Sequence, residues 1–136
     1  MFVPIYDVNA LKHIRLQYVT IGLIVVNVAV WLVTGLAASP GLADKASMGL
    51  GFIPALLFDN ARLEPTLVIV PEGWTYLTYA FLHGNFWHLA TNMLFLWVFG
   101  DNVEDAMGHI RFLAFYLLCA AAAAWLHGFL LPQSEG

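Results

Sequence analysis

Three long apolar stretches alternate with two connections along the chain. The stretches lie at about residues 16–38, 80–100 and 112–131. A helix that crosses a bilayer needs about 20 mainly apolar residues, and each stretch meets that length. The pattern predicts an all-α membrane protein with three transmembrane helices. The first uncharged run exceeds the roughly 7–15 residues of a signal-peptide core, so we interpret it as a retained helix, with cleavage near LAAS as the alternative.

The first connection, about residues 39–73, is partly apolar. It contains MGLGFIPALLFD, which is too short to span a membrane. Pro54, Pro65 and Pro71 interrupt any long helix in it. Two interpretations stay open for this apolar segment. It is either an interfacial or re-entrant element that lies partly in the membrane, or a loop packed on the helices.

The second connection, GDNVEDAMGHIR, is short and rich in charge. Short connections join antiparallel neighbours, so the second and third helices should pack side by side. The connection carries Asp101, Glu104, Asp105 and Arg111. These residues form either a solvated or ion-paired loop, or a site where a carboxylate ties helix ends together.

Composition agrees with a membrane protein. The 136 residues are 61% hydrophobic and 10% charged, whereas about a quarter of a soluble domain is charged. The net charge of −4, with 5 Lys and Arg residues, excludes a basic patch for nucleic acid, so the expected surroundings are a lipid bilayer. The single cysteine, Cys119, cannot form an internal disulfide. Nothing in the composition indicates oligomeric state.

The few cations bear on orientation. Lys12, Arg15 and Arg111 are expected on one side of the membrane, and Lys45 and Arg62 on the other. The positive-inside rule then favours a cytoplasmic N-terminus by three cations to two.

Polar side chains inside the second stretch need an explanation, because they are costly at membrane depth. His88 and Asn92 are four residues apart and lie on one helix face. Two such hydrogen-bond donors form either an oxyanion site for acyl transfer or contacts with neighbouring helices. The Gly-Asn pair after His83 disfavours helix, so the helix should begin near Asn85 or Phe86. His83 would then lie in the entering loop and fold over the helix start.

A second chemistry is haem binding. His127 is near the end of the third stretch, on the same side of the membrane as His88. Two histidines from two helices can ligate a haem iron. Nothing else in the chain indicates a porphyrin, so no cofactor or metal is expected.

The segment FLHGNFWHLATNMLFLWVFGDNVEDAMGHIRFLAFYLL resembles the second and third helices of bacterial rhomboid proteins, the intramembrane serine proteases. The shared pattern is H-x4-H-x3-N followed by a short Gly-containing loop. The opening MFVPIYDVNALKHIRLQYVTIGLIVVNVAVWL resembles the N-terminus and first helix of the same family. The resemblance implies that residues 1–136 form a partial rhomboid domain, the first half of a six-helix core in the bacterial inner membrane.

The resemblance also implies roles for individual residues. The positions of His88 and Asn92 stabilise the oxyanion of the tetrahedral intermediate. The position of His83 is structural and supports the first loop against the helix start, and Glu104 fixes loop and helix ends on the cytoplasmic side. The implied partners are transmembrane protein substrates.

One departure from the family limits this expectation. Rhomboid proteases use a Ser-His dyad, with the serine in G-x-S-G on the fourth helix and the histidine on the sixth. The serines here are Ser39, Ser47 and Ser134, and none lies in G-x-S-G. We therefore expect the N-terminal part of a protease, cut short by an incomplete reading frame, which is inactive alone. The alternative is a non-catalytic rhomboid-like protein that binds client helices.

Overall fold

A computed structural model of the chain describes residues 10–36, 39–59 and 61–134. The first nine residues of the rhomboid-like opening, residues 37–38 of the first apolar stretch, residue 60 and residues 135–136 lie outside the described residues. Within the described ranges every regular element is helical, in agreement with the all-α prediction.

Six α-helices are present in the described ranges. In chain order they are α1 Tyr18–Trp31, α2 Pro40–Leu50, α3 Pro54–Leu57, α4 Thr75–Thr78, α5 Phe86–Met107 and α6 His109–Leu130. A π-helical turn, Leu32–Leu36, extends α1 directly. Short 3₁₀ turns lie at Pro65–Leu67, Glu72–Trp74 and Tyr79–Phe81.

Two helices in the described part of the chain are long and apolar enough to cross a membrane. They are Tyr18–Leu36 and His109–Leu130, which correspond to the first and third predicted spans. The helix α5 has 22 residues but carries polar groups near its start and three carboxylates near its end. Length and composition therefore do not confirm α5, the second predicted span, as a transmembrane helix.

The second helix starts and ends later than the apolar stretch at 80–100, and its start agrees with the predicted one near Asn85 or Phe86. It begins at Phe86, where the side chain of Asn85 accepts a hydrogen bond from the His88 backbone N–H at 2.9 Å and caps the helix. It ends at Met107, because Gly108 has φ 82 and breaks the helix before α6. The acidic residues of the second connection therefore lie on helix turns, and the connection reduces to one glycine.

The other two predicted spans shift by a few residues. The first helix begins at Tyr18 instead of residue 16, and the third runs from His109 to Leu130 instead of 112–131. Both starts lie beside Glu104, whose carboxylate accepts hydrogen bonds from the first turn of α1 and from His109. Tertiary contacts therefore set these ends.

The first connection packs on α6. The hydroxyl of Thr78 donates to the carbonyl of Leu50 at 2.6 Å, which ties α4 to the end of α2. The ring of Phe52 lies against Gly128, where an added Cβ would be 3.2 Å from the ring. The Ala55 backbone N–H donates to the carbonyl of Ser134 at 3.1 Å. The connection therefore packs on α6, and this packing is compatible with a position partly in the membrane.

The helices α1 and α5 approach closely where Gly100 faces Thr20. An added Cβ on Gly100 would be 2.9 Å from Cγ2 of Thr20 and 3.0 Å from its hydroxyl oxygen. Thr20 is fully buried and its hydroxyl is bonded to Glu104, so it cannot move aside without breaking that bond. Gly100 is therefore required at this crossing.

We expect Gly100→Ala to destabilise the chain. Overpacking costs about 1–3 kcal/mol, while alanine regains about 1 kcal/mol of helix propensity. Gly22 in α1 is the matched control, because an added Cβ there meets nothing within 4 Å and alanine should be neutral or stabilising. Thermal unfolding followed by circular dichroism in detergent micelles measures both variants. Equal stability of the two variants would contradict the close approach.

Candidate functional site

His83, His88 and Asn92 lie together at the start of α5. The Nε2 atom of His83 is 3.1 Å from the Nδ2 atom of Asn92. The rings of His83 and His88 have centroids 5.2 Å apart and meet edge to face at 67°. The structure therefore brings together the three side chains that the sequence analysis singled out in this stretch.

The local sequence explains this arrangement. Gly84 and Asn85 are not helical, so the chain turns between His83 and the first residue of α5. Leu89 is buried and directs one face of α5 into the protein. His88 and Asn92 lie on another face, one turn apart, and both are exposed.

The three site residues differ in burial. His83 is 7% exposed, whereas His88 and Asn92 are open to the surroundings. Within the described residues the ring of His88 has no hydrogen-bond partner. The site thus consists of a buried imidazole beneath two exposed groups that can donate hydrogen bonds.

Cavities lie on two sides of His83. One of about 260 Å³ separates α5 from α6 and is lined by Ala80, His83, Asn92, Met93, Leu96 and Tyr116. The other, of about 340 Å³, lies between the end of α1, the helix α2 and the loop that carries His83. The loop before α5 is therefore bordered by open space, and His83 is a wall of both cavities.

The carboxylate of Glu104 lies at the opposite end of α5 and is fully buried. It accepts hydrogen bonds from the backbone N–H groups of Val19 and Thr20 at 2.9 and 2.8 Å, and from the Thr20 hydroxyl at 2.7 Å. The ring of His109 is a further partner. Burial raises the pKa of Glu104, but these hydrogen bonds outweigh it and leave the pKa below its ordinary value. Glu104 therefore caps the start of α1.

Asp105 binds the chain segment that precedes α1. Its carboxylate accepts from the backbone N–H groups of Lys12, His13 and Ile14 at 2.9, 2.7 and 2.8 Å. These bonds, with the Lys12 N–H first, hold the pKa of Asp105 well below its usual range. The sequence pattern predicts no separate role for Asp105. No residue pattern could have marked it, because its partners at Lys12, His13 and Ile14 are backbone N–H groups.

The histidines proposed for haem have different neighbours. The ring of His127 lies 6.2 Å from that of Phe52, and the ring of His88 lies against His83. No ring contact joins His88 and His127 in the described part of the chain. The described residues contain no group of three or more potential metal ligands.

The family model and the similar proteins indicate the same family. The model of the Rhomboid domain matches residues 70–135. Rhomboid protease AarA of Providencia stuartii is 31% identical over 105 residues, which cover 77% of this chain and 34% of that protein. Rhomboid protease GlpG of Klebsiella pneumoniae is 29% identical over 87 residues, covering 64% of this chain and 29% of that protein.

A plant relative extends the comparison beyond bacteria. Rhomboid-like protein 11, a chloroplastic protein of Arabidopsis thaliana, is 31% identical over 64 residues, covering 47% of this chain and 23% of that protein. The chain thus spans about a third or less of the length of these relatives. No solved structure gives a significant match.

The matched region contains the whole candidate site. Residues 70–135 include the loop with His83, all of α5 and all of α6. Together with the two apolar helices of membrane-spanning length, the match identifies an integral membrane protein. The chain belongs to the rhomboid family.

Proposed function

We propose that this chain is the N-terminal part of a rhomboid-type intramembrane serine protease, which cleaves peptide bonds of transmembrane proteins. The observation that carries the proposal is the cluster at the start of α5, where His88 and Asn92 are exposed one turn apart above His83. The names of two bacterial relatives, which are rhomboid proteases, support it.

The proposed chemistry assigns the cluster to the oxyanion. Attack on a peptide carbonyl places negative charge on its oxygen, and hydrogen-bond donors aimed at that oxygen stabilise the transition state. A ring N–H of His88 and an amide N–H of Asn92 are the donors in this proposal. The nucleophile and its base would come from residues outside this sequence, since none of its serines lies in G-x-S-G. We propose that the 136 residues alone are inactive.

The proposed membrane arrangement has three spans. The segment of about residues 80–100, most of which belongs to α5, would cross the bilayer beside α1 and α6, and the turn with Glu104 would project beyond it. Exposed aromatic side chains on α5, such as the stacked Phe95 and Phe99, suit contact with lipid or further helices. The cations Lys12 and Arg111 would mark the cytoplasmic side of a bacterial inner membrane.

The structural residues have separate roles in this proposal. His83 supports the loop before α5, and Glu104 joins the ends of α1, α5 and α6 on the cytoplasmic side. Residues 1–136 then form one partial rhomboid domain, whose first connection lies partly in the membrane. No cofactor or metal takes part in the proposed reaction.

The sequence favours a second candidate function, because none of its serines lies in G-x-S-G. The hydroxyl of Ser47 donates to the Asp44 carbonyl at 2.9 Å inside α2, so it is held by its own helix. Without a serine in G-x-S-G, a rhomboid-like protein would bind client transmembrane helices and not cleave them. The exposed face of α5 would be the binding surface.

The coding DNA after the Gly136 codon tests these alternatives. We expect it to continue in frame to a helix that begins with G-x-S-G and to a later helix with a histidine. The complete protein should cleave a labelled transmembrane substrate in liposomes, whereas the 136-residue chain should not. A continuation without the serine would favour the binding function. Cleavage by the isolated chain that is abolished in His88→Ala would contradict its proposed inactivity.

A further inference from the structure

The imidazole of His83 contacts both exposed donors of the candidate site. Its Nε2 atom faces the amide nitrogen of Asn92 at 3.1 Å, and its ring packs edge to face against that of His88 at 5.2 Å. The imidazole is buried, whereas the two side chains above it are exposed. A buried imidazole therefore lies beneath two exposed side chains.

The donor and acceptor roles determine the tautomer of His83. An amide nitrogen only donates hydrogen bonds, so Nε2 of His83 must accept from Asn92 and carry no proton. The single proton of the neutral ring then resides on Nδ1. Nδ1 is buried and has no hydrogen-bond partner within the described residues.

The hydrogen bond has a consequence for Asn92. Its amide has two N–H groups, and the one that binds His83 fixes the amide plane. The torsion that turns an asparagine amide is otherwise broad, so an exposed amide without this bond would rotate. The second N–H then points in a different direction from the one that binds His83, and no described residue accepts from it.

We propose that His83 is a positioning residue for the oxyanion site. In its Nδ1-protonated form it holds the amide of Asn92 with one N–H free for the substrate oxygen, and it supports the ring of His88. This inference rests on the proposed function of His88 and Asn92, and it extends the role of His83 beyond support of the loop. A residue that only supported the loop would need neither this tautomer nor this hydrogen bond.

Nuclear magnetic resonance on the ¹⁵N-labelled 136-residue chain in micelles tests the proposal. We expect Nδ1 of His83 to be the protonated nitrogen, and we expect a coupling across the hydrogen bond between Nε2 and an amide proton of Asn92. The variant Asn92→Ala assigns the signals, and it should fold because Asn92 is exposed. A proton on Nε2, or no coupling in the folded wild-type chain, would overturn the proposal.

Two further variants separate positioning from packing. His83→Phe keeps a ring beneath His88 but removes the acceptor, so the two amide protons of Asn92 should exchange with water faster and lose their separate environments. Thr91→Ala is the control, because that exposed hydroxyl bonds only within α5. An unchanged Asn92 amide spectrum in folded His83→Phe would also overturn the proposal, and if that variant does not fold, the wild-type coupling decides.

These readouts do not depend on proteolysis. A wrong tautomer would refute the positioning role and leave the proposed protease function standing. Conversely, a complete protein that carries the nucleophile and still cleaves no substrate would refute the proposed function. The hydrogen bond between His83 and Asn92 would then remain, and its assignment to an oxyanion would fail.

Discussion

Replacement of Glu104 by alanine is expected to destabilise the chain by about 2–6 kcal/mol, since each buried N–H left without a partner costs roughly 1–3 kcal/mol. The carboxylate is fully buried and accepts from the first backbone N–H groups of α1, at Val19 and Thr20. Alanine removes both acceptors and leaves a cavity between α1 and α5. The measurement is the loss of helical circular dichroism on heating in micelles.

Two variants make this prediction specific. Glu64→Ala removes the same side chain from an exposed position in the first connection, so its unfolding temperature should equal that of the wild type. Glu104→Gln keeps one carbonyl oxygen but turns an amide N–H₂ toward the other donors, and it should fall between alanine and wild type. If Glu104→Ala were as stable as Glu64→Ala, the cap at the start of α1 would be refuted.

The same carboxylate gives a pH dependence of known sign. Burial raises the pKa of Glu104, the hydrogen bonds lower it, and the net pKa is below the ordinary value. Because the pKa is lower in the folded state, the stability that Glu104 contributes is present above the ordinary pKa of about 4.3 and is lost as pH falls below it. The wild-type unfolding temperature should therefore fall more on acidification than that of Glu104→Ala.

Replacement of Asn92 by alanine in the complete protein is expected to lower kcat by about 10²–10³-fold, the usual effect of removing one oxyanion donor. The reason is chemical and not structural, because the side chain is exposed and, among the described residues, its hydrogen-bond partner is His83. The unfolding temperature should stay close to that of the wild type. Cleavage of a labelled transmembrane substrate in liposomes gives the rate.

Thr91→Ala is the matched control for Asn92→Ala. Thr91 is exposed one residue earlier on α5, and its hydroxyl donates to the Trp87 and His88 carbonyls of its own helix. Its loss should change the rate by no more than a few-fold. Equal rates in Asn92→Ala and Thr91→Ala would remove Asn92 from the proposed mechanism.

Several features of the site followed from the sequence because they are local. Gly84 and Asn85 disfavour helix, so the start of α5 at Phe86 and the placement of His83 in the entering loop were predicted from adjacent residues. The spacing of His88 and Asn92 predicted a shared face, since helical periodicity spans only four residues. The motif that contains them also led to the family, which the comparisons support.

The carboxylates at the end of α5 were harder to predict. Their partners are backbone N–H groups, which every residue except proline carries, so no residue pattern marks them. The partner of Glu104 at Thr20 is 84 residues away, and that of Asp105 at Lys12 is 93 residues away. For this reason the sequence left a loop and a helix tie as alternatives, and it placed the end of the second helix at residue 100 instead of Met107.

The sequence by itself therefore determined the helical class, the apolar stretches, the start of α5 and the pairing of His88 with Asn92 on one face. All of these depend on hydropathy and backbone preference over a few neighbouring residues. The tertiary structure alone decided that α5 extends to Met107 and that His83 contacts Asn92. It also decided that Asp105 binds the segment before α1, and that Glu104 binds the first turn of α1. Those features depend on contacts between segments that meet only after folding, where burial and hydrogen bonding outweigh local preference.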